Sequence, residues 1–317
     1  MYRGRFAPSP TGSLHLGSLL AALGSWLRAR SRHGTWLVRI EDIDPPREVP
    51  GAARDILETL AAFGMVSDEP VLYQSRRIEH YQTAFEKLLA MDSVFACLCS
   101  RRELEGSPHP AHCPTGARDT TRAPAWRLRV PDTTIGFHDA IQGTFHQNLA
   151  HDVGAFVIRR VEGYFAYQLA VVVDDAAQDI TEVVRGVDLL DSTPRQIWLQ
   201  RLLDLPTPAY VHLPLVHDAS GRKLSKQDRD RPIERGDPLP ALRTALAALG
   251  YPPAWLHAAG GVDSLLRRAI DDFELTRIPR HLATTVSGTE LCNIRKTSRD
   301  DGLAGDHDKR IDPSKGE

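Results

Sequence analysis

The first 95 residues alternate between short apolar runs and amphipathic stretches, and this alternation limits the fold more than any other feature of the chain. An extended start at Arg3 to Phe6 precedes an amphipathic helix over about Leu16 to Arg32, and Thr35 to Ile40 then reads as a strand. A second helix from about Gly51 to Phe63, a strand at Val71 to Gln74 and a helix from Arg76 to Met91 complete a β-α-β-α-β-α series. Strands separated by helices of this length require a parallel sheet with helices on its faces. In open sheets of that kind, ligands sit beyond the carboxyl ends of the strands. The segments to inspect are therefore Phe6 to Gly17 and Ile40 to Asp44.

From Val94 to about Gly163 the rhythm changes to cysteines, prolines and short strand signals at Trp126 to Val130 and Gly143 to His146, which reads as an inserted α+β module. The parallel pattern then resumes. It has a buried-looking strand at Leu169 to Val173, another at Thr181 to Arg185, a helix from about Pro194 to Leu203 and a strand at Tyr210 to Val216. The expected organisation is an α/β nucleotide-binding domain over residues 1–93 and 164–230, split by a module over 94–163. A helical region follows over 231–275, containing Pro238 to Leu249 and Val262 to Phe273. The remainder, 276–317, is expected to be a disordered tail, because its apolar periodicity fades into Asp, Lys, Arg, Gly and Ser.

Composition excludes several classes. Hydrophobic residues at 42% and charged residues at 25% match an ordinary globular protein, so wholesale disorder is ruled out. No apolar stretch approaches the roughly 20 residues that span a bilayer, and the N-terminus lacks the apolar run of a secretion signal. The expectation is a cytoplasmic protein without membrane contact and with no evident obligate protein partner. A net charge of -2 announces no polyanion partner. Four cysteines are too few for a disulfide scaffold.

Two segments carry chemistry. In Arg5 to Ser18, RFAPSPTGSLHLGS, two prolines stiffen the chain after the first strand. Gly12 and Gly17 let backbone approach a ligand, and the following helix offers free N–H groups to an anion beside His15. Far along the chain, KLSKQ at Lys223 to Gln227 sets two lysines three residues apart, suited to neutralising charge on triphosphate oxygens.

Together these segments resemble the two signature motifs of the class I aminoacyl-tRNA synthetases: His15-Leu16-Gly17-Ser18 is similar to the HIGH element and Lys223 to Gln227 to KMSKS. The strings RFAPSPTG, RIEDIDPPREVPGA, FAYQLAVVVDD and EVVRGVDLL resemble the glutamyl branch, and within it the truncated paralogues that act on queuosine in tRNA(Asp). The resemblance runs from about residue 3 to residue 250. It implies a Rossmann-type parallel sheet, ATP with Mg²⁺ as the activating pair, and catalytic roles for His15, Lys223 and Lys226. ATP would be bound by His15, Gly17, Ser18 and Lys226.

A substrate with two carboxylates and one ammonium suits the remaining residues. Arg5 and Arg185 offer guanidinium forks to the carboxylates, and Glu41 supplies the countercharge for the ammonium. By the resemblance, Ala7, Ser9 and the Tyr167 hydroxyl also line the glutamate site. Which arginine takes the side-chain carboxylate is left open. Taken one at a time, Arg5 and Arg185 fit equally well as partners of Asp42, Asp174, Asp175 or Asp188. Asp174 and Asp175 suit an architectural role near the nucleotide.

Cys97 and Cys99 at i and i+2 present both sulfurs to one side of a strand, and with Cys113 they suggest a zinc site. The resemblance places a tyrosine four residues before the last cysteine; here that position is His109, taken as the fourth ligand.

The implied reaction is tRNA-independent activation of glutamate to glutamyl-adenylate, followed by transfer to the queuosine base at the wobble position of tRNA(Asp). The residues after Gln227 leave no room for a conventional anticodon-binding region. Three alternatives remain: conventional charging of tRNA(Glu), a catalytically inactive paralogue acting as a binding module, against which intact His15, Glu41, Arg185 and Lys226 count, or a small-molecule adenylating ligase of the same superfamily. Lys226→Ala is expected to lower glutamate-dependent ATP–pyrophosphate exchange by about two orders of magnitude or more; full retention would show the loop to be misassigned.

Overall fold

The structure is a computed structural model, and it describes residues 1–99, 101–104, 108–110, 123–217, 233–256, 260–280 and 283–285. The first part of the chain runs β1 (Arg3–Phe6), α1 (Leu16–Ser31), β2 (Thr35–Ile40), α2 (Ala52–Ala62), β3 (Leu72–Tyr73) and α3 (Ile78–Ala90). Strand β2 pairs in parallel with β1 on one side and β3 on the other. Its sequence, TWLVRI, is buried on both faces, as an inner parallel strand must be. Trp36, Val38 and Ile40 enter one core with α1, while Leu37 enters a second core on the opposite face with α3.

Helix α1 is buried on nearly every side because it lies between the sheet and the later helices Pro238–Ala248 and Val262–Asp271. Leu19, Leu23 and Leu27 are fully covered, each contributing about 1.5–3 kcal/mol of burial. The one polar group it presents inward, Ser25, accepts a 2.9 Å hydrogen bond from the Trp36 indole. Gly24 permits a close crossing, since a Cβ there would stand 2.5 Å from a Leu213 methyl.

The middle of the chain supplies β4 (Val94–Cys97), α4 (Arg101–Leu104), β5 (Ala125–Leu128), β6 (Thr134–Asp139), β7 (Gly143–Asn148), α5 (Leu149–Asp152) and β8 (Phe156–Arg159). These form two separate structures. Strands β4, β5 and β8 make a small antiparallel sheet. The β6–β7 hairpin instead joins a second sheet, of order β7-β6-β10-β9, through a parallel pairing of Asp139 with Tyr210.

Next come α6 (Tyr167–Ala177), β9 (Glu182–Gly186), α7 (Thr193–Leu203), β10 (Ala209–Leu213) and β11 (Leu215–His217); β11 pairs in parallel with β12 (Ala283–Thr285). The strand expected at Leu169 to Val173 is helical. A short apolar run such as LAVVV does not by itself distinguish a buried strand from a buried helix. Here the helix wins because Leu169, Ala170, Val171 and Val172 all pack into the second core against α3 and α7. The expected single strand at Tyr210 to Val216 is divided at Pro214, which has no N–H to give a ladder.

Strand β9 lies beside β1, tied by a 3.0 Å bond from the Thr181 N–H to the Arg3 carbonyl. From β1 the chain passes through α1 to β2 on one side; from β9 it passes through α7 to β10 on the other. The direction of winding thus reverses between β1 and β9, which leaves a crevice at their carboxyl ends. Among the described residues no helix is long and apolar enough to cross a membrane. The disordered tail expected over 276–317 begins too early: Ile278 is buried and Ala283–Thr285 pair with β11, because apolar residues here still pack on the fold, while 281–282 and 286–317 lie outside the described residues.

Candidate functional site at the carboxyl ends of the central strands

Arg5, Glu41 and Arg185 come from β1, the end of β2 and β9, and the fold brings all three to the reversal point. The loop after β1 is pinned to β2 by a 2.9 Å bond from the Glu41 N–H to the Pro8 carbonyl. This places half-buried Ala7 and exposed Ser9 alongside.

Arg5 is buried, and two of its donors are committed: Nε and Nη2 bond the Asp175 carboxylate at 2.9 and 3.2 Å. Asp175 also accepts from Arg39 Nη2 at 2.8 Å. Burial alone would raise the Asp175 carboxyl, but Arg5 and Arg39 outweigh it and hold the group below its ordinary range. Neighbouring Asp174 accepts from Gln74 Nε2, Arg77 Nε and the Tyr81 hydroxyl at 2.8, 2.6 and 2.7 Å. The Asp174-Asp175 pair therefore ties α6 to the sheet and to α3.

Glu41 is different. Its nearest cation is Arg39 Nη2, 3.7 Å from Oε1. Yet Oε1 is buried with no hydrogen-bond partner among the described residues. Burial pushes the Glu41 carboxyl up to about 7, against the pull of Arg39 and Arg5. An orphaned, buried carboxylate oxygen with the loop of Ala7 and Ser9 beside it suits a substrate ammonium.

Arg185 is held by five acceptors. Nε bonds His212 Nε2 at 3.0 Å, and Nη1 bonds Gln196 Oε1 at 2.8 Å and the Tyr167 hydroxyl at 3.2 Å. Nη2 bonds Thr193 Oγ1 at 2.8 Å and the Leu189 carbonyl at 3.3 Å. Tyr167 and Arg185, matched from distant strings, are thus in direct contact. Gln196, Thr193 and His212 carried no signal as motif residues, and Arg39, which opens the string RIEDIDPPREVPGA, was given no role of its own. The one visible hint was a charged residue, Arg39, inside an otherwise apolar strand.

His15 precedes α1 as its N-cap, with Nδ1 accepting the Ser18 N–H at 3.2 Å and Nε2 3.0 Å from the Ser18 hydroxyl. Gly17 leaves room for the ring, since a Cβ there would stand 3.2 Å from it. The HIGH-like residues therefore gather at a helix N-terminus, where the helix dipole favours an anion. Lys223, Lys226 and Cys113 lie outside the described residues.

Cys97, Cys99 and His109 converge, with their ligand atoms within 4.8 Å of one another. Cys97 Sγ and His109 Nε2 are 3.1 Å apart. His109 Nδ1 donates to the Pro110 carbonyl at 2.7 Å, which leaves the Nε2 lone pair for a metal. Burial pushes the Cys97 thiol up to about 11, even with Arg127 Nε donating to its sulfur at 3.3 Å, and a metal cation would favour the thiolate further. Two sulfurs and an imidazole suit zinc.

Gly154 holds His109 in place. The two residues form a bridge, and at φ +73° a Cβ on Gly154 would stand 2.2 Å from the His109 nitrogen. Gly154→Ala is expected to weaken zinc retention about tenfold or more, read as metal content after competition with a chelator. A second outcome concerns Glu41, whose carboxyl is raised from 4.5 to about 7. Between those values the folded protein binds more protons than the unfolded chain, so this group lowers stability as pH rises. Glu41→Gln is expected to stabilise the protein by ~2–3 kcal/mol in urea titrations at about pH 8, and far less at about pH 5.

Comparison with known proteins agrees with this geometry. The family model described as "tRNA synthetases class I (E and Q), catalytic domain" matches residues 1–123 and 115–259. A Glutamyl-Q tRNA(Asp) synthetase of Xanthomonas campestris pv. campestris (strain 8004) is 56% identical over 283 residues, covering 88% of this chain and 94% of that protein. Another of that name, from Burkholderia cenocepacia, is 58% identical over 284 residues, covering 85% and 95%. A crystal structure of a glutamate tRNA ligase from Elizabethkingia meningosepticum CCUG26117, in complex with its amino acid, superposes with a TM-score of 0.76 at 26% identity. It spans 91% of this chain and 68% of that one. The chain belongs to the class I tRNA synthetase family for E and Q.

Proposed function

We propose that this protein is a ligase that activates glutamate with ATP and transfers it to the queuosine base of tRNA(Asp). The observation that carries the reading is the crevice at the carboxyl ends of β1, β2 and β9. There the buried Glu41 carboxyl, with no hydrogen-bond partner on Oε1 among the described residues, shares the strand ends with Arg5 and Arg185, in a fold whose first helix is capped by His15. A dicarboxylic amino acid supplies the missing ammonium and two anionic groups.

Activation needs no side-chain nucleophile. The substrate α-carboxylate oxygen attacks the α-phosphorus of ATP, a P–O bond forms, and pyrophosphate leaves with the bonding electron pair. Glu41 fixes the ammonium and Arg5 and Arg185 fix the carboxylates, so attack geometry is set before reaction. On this reading His15, released from the Ser18 N–H, stabilises the phosphates at the start of α1 together with Lys223 and Lys226, which neutralise the leaving charge. Mg²⁺, when bound with ATP, shields the phosphate charge. Zinc at Cys97, Cys99, His109 and Cys113 would tie the end of β4 to the segment that carries His109, beside the small β4-β5-β8 sheet. In the second step the acceptor attacks the activated carbonyl and AMP departs.

The names carried by the similar proteins of Xanthomonas and Burkholderia support the acceptor. The structural neighbours are glutamate tRNA ligases, of which this chain spans 68%. Radiolabelled glutamate is therefore expected on tRNA(Asp) containing queuosine and not on queuosine-free tRNA(Asp) or tRNA(Glu). Equal labelling of both forms of tRNA(Asp) would overturn the acceptor, and labelling of tRNA(Glu) would favour conventional charging.

A further inference from the structure

Behind Arg185 lies a chain of groups that motif reading does not reach. His212 Nε2 accepts from Arg185 Nε at 3.0 Å, and His212 Nδ1 stands 2.6 Å from Asp139 Oδ2. Both His212 and Asp139 are fully buried. A guanidinium N–H only donates, so Nε2 must be the bare nitrogen and the proton must sit on Nδ1, facing Asp139. Burial lowers the His212 pKa and adjacent Arg185 lowers it further, against the pull of Asp139, so the ring is neutral.

Asp139 is itself immobilised. Its Oδ1 accepts the N–H groups of Ile141, Gln142 and His212 at 3.0, 2.8 and 3.2 Å, which aims Oδ2 at the ring. The contacts of Arg185 divide in two. His212, Gln196 and Thr193 bind it at 3.0 Å or less, whereas the Tyr167 hydroxyl and Leu189 carbonyl bind at 3.2 and 3.3 Å. The two long contacts fall one on each Nη. A carboxylate binding end-on takes one N–H from each Nη, so these are the contacts it displaces.

We infer that Asp139 and His212 are positioning residues for the amino-acid site: Asp139 sets the tautomer of His212, and His212 holds the Arg185 fork toward a substrate carboxylate. The inference rests on the proposed role of Arg185 in binding glutamate. It also assigns a task to the β6–β7 hairpin, which carries Asp139 into the central sheet.

A purely architectural role for Asp139 predicts something different, and Asp139→Asn separates the two. The amide oxygen keeps the three backbone bonds, while the amide N–H₂ faces Nδ1, drives the ring proton to Nε2 and sets donor against donor at Arg185. His212→Gln supplies a carbonyl acceptor for Arg185 with no tautomer to set.

The test is glutamate-dependent ATP–pyrophosphate exchange, with KM measured for glutamate and for ATP in the wild type, both single variants and the double variant. Asp139→Asn is expected to raise the glutamate KM about tenfold or more with the ATP KM unchanged. In the His212→Gln background, Asp139→Asn is expected to add less than about twofold. An unchanged glutamate KM, an equal rise for ATP, or an undiminished effect in the His212→Gln background would each overturn the inference.

Nitrogen-15 NMR of the wild-type imidazole reads the tautomer without any variant. A protonated Nδ1 with a bare Nε2 supports the inference, and a protonated Nε2 overturns it. Absence of exchange by the wild type would instead refute glutamate activation itself, and this inference with it.

Discussion

The buried carboxylate of Asp175 bonded to both Arg5 and Arg39 is the contact on which the rest of the site depends. Removing either cation would leave a charge without compensation in the interior, at a cost of about 3–5 kcal/mol in comparable cases. The ion group does more than hold charge. It hooks helix α6 onto strands β1 and β2, and thereby fixes where Arg5 and Glu41 stand relative to each other.

That arrangement leaves the site poised for a ligand. Asp174 and Asp175 flank Arg39, Asp175 takes two donors of Arg5, and Arg185 donates to the neutral His212, whose Nδ1 faces Asp139. Glu41 has no hydrogen-bond partner on Oε1 among the described residues, and burial raises its carboxyl to about 7. On the proposed reading the ammonium of glutamate would pair with Glu41 and its two carboxylates would draw on the donors of Arg5 and Arg185.

Much of this was legible in the chain. Alternating elements up to Ala90 disclosed the parallel sheet, because inner strands such as TWLVRI and helices such as α2 carry different periods. The strings around Glu41, Tyr167 and Arg185 pointed to residues that the fold gathers at strand ends, and that around His15 to the start of α1, because local turns and strand ends hold those side chains. Helix α6 was harder to read: its valines favour a strand, and only packing against α3 and α7 decides for a helix. The split of the 94–163 segment between two sheets was equally hidden, since it depends on a single bridge from Asp139 to Tyr210.

Sequence by itself determined the parallel α/β pattern of the first 90 residues and singled out Arg5, Glu41, Arg185, Cys97, Cys99 and His109 as candidates, because these follow from residue type and local spacing. Tertiary structure decided which charges neutralise which. Asp175 reaches Arg5 across 170 positions and Asp139 reaches His212 across 73. Such pairings are set by which strand ends and helix faces meet in the folded interior, where a charge is stable only beside its counterpart, and no local pattern encodes that meeting.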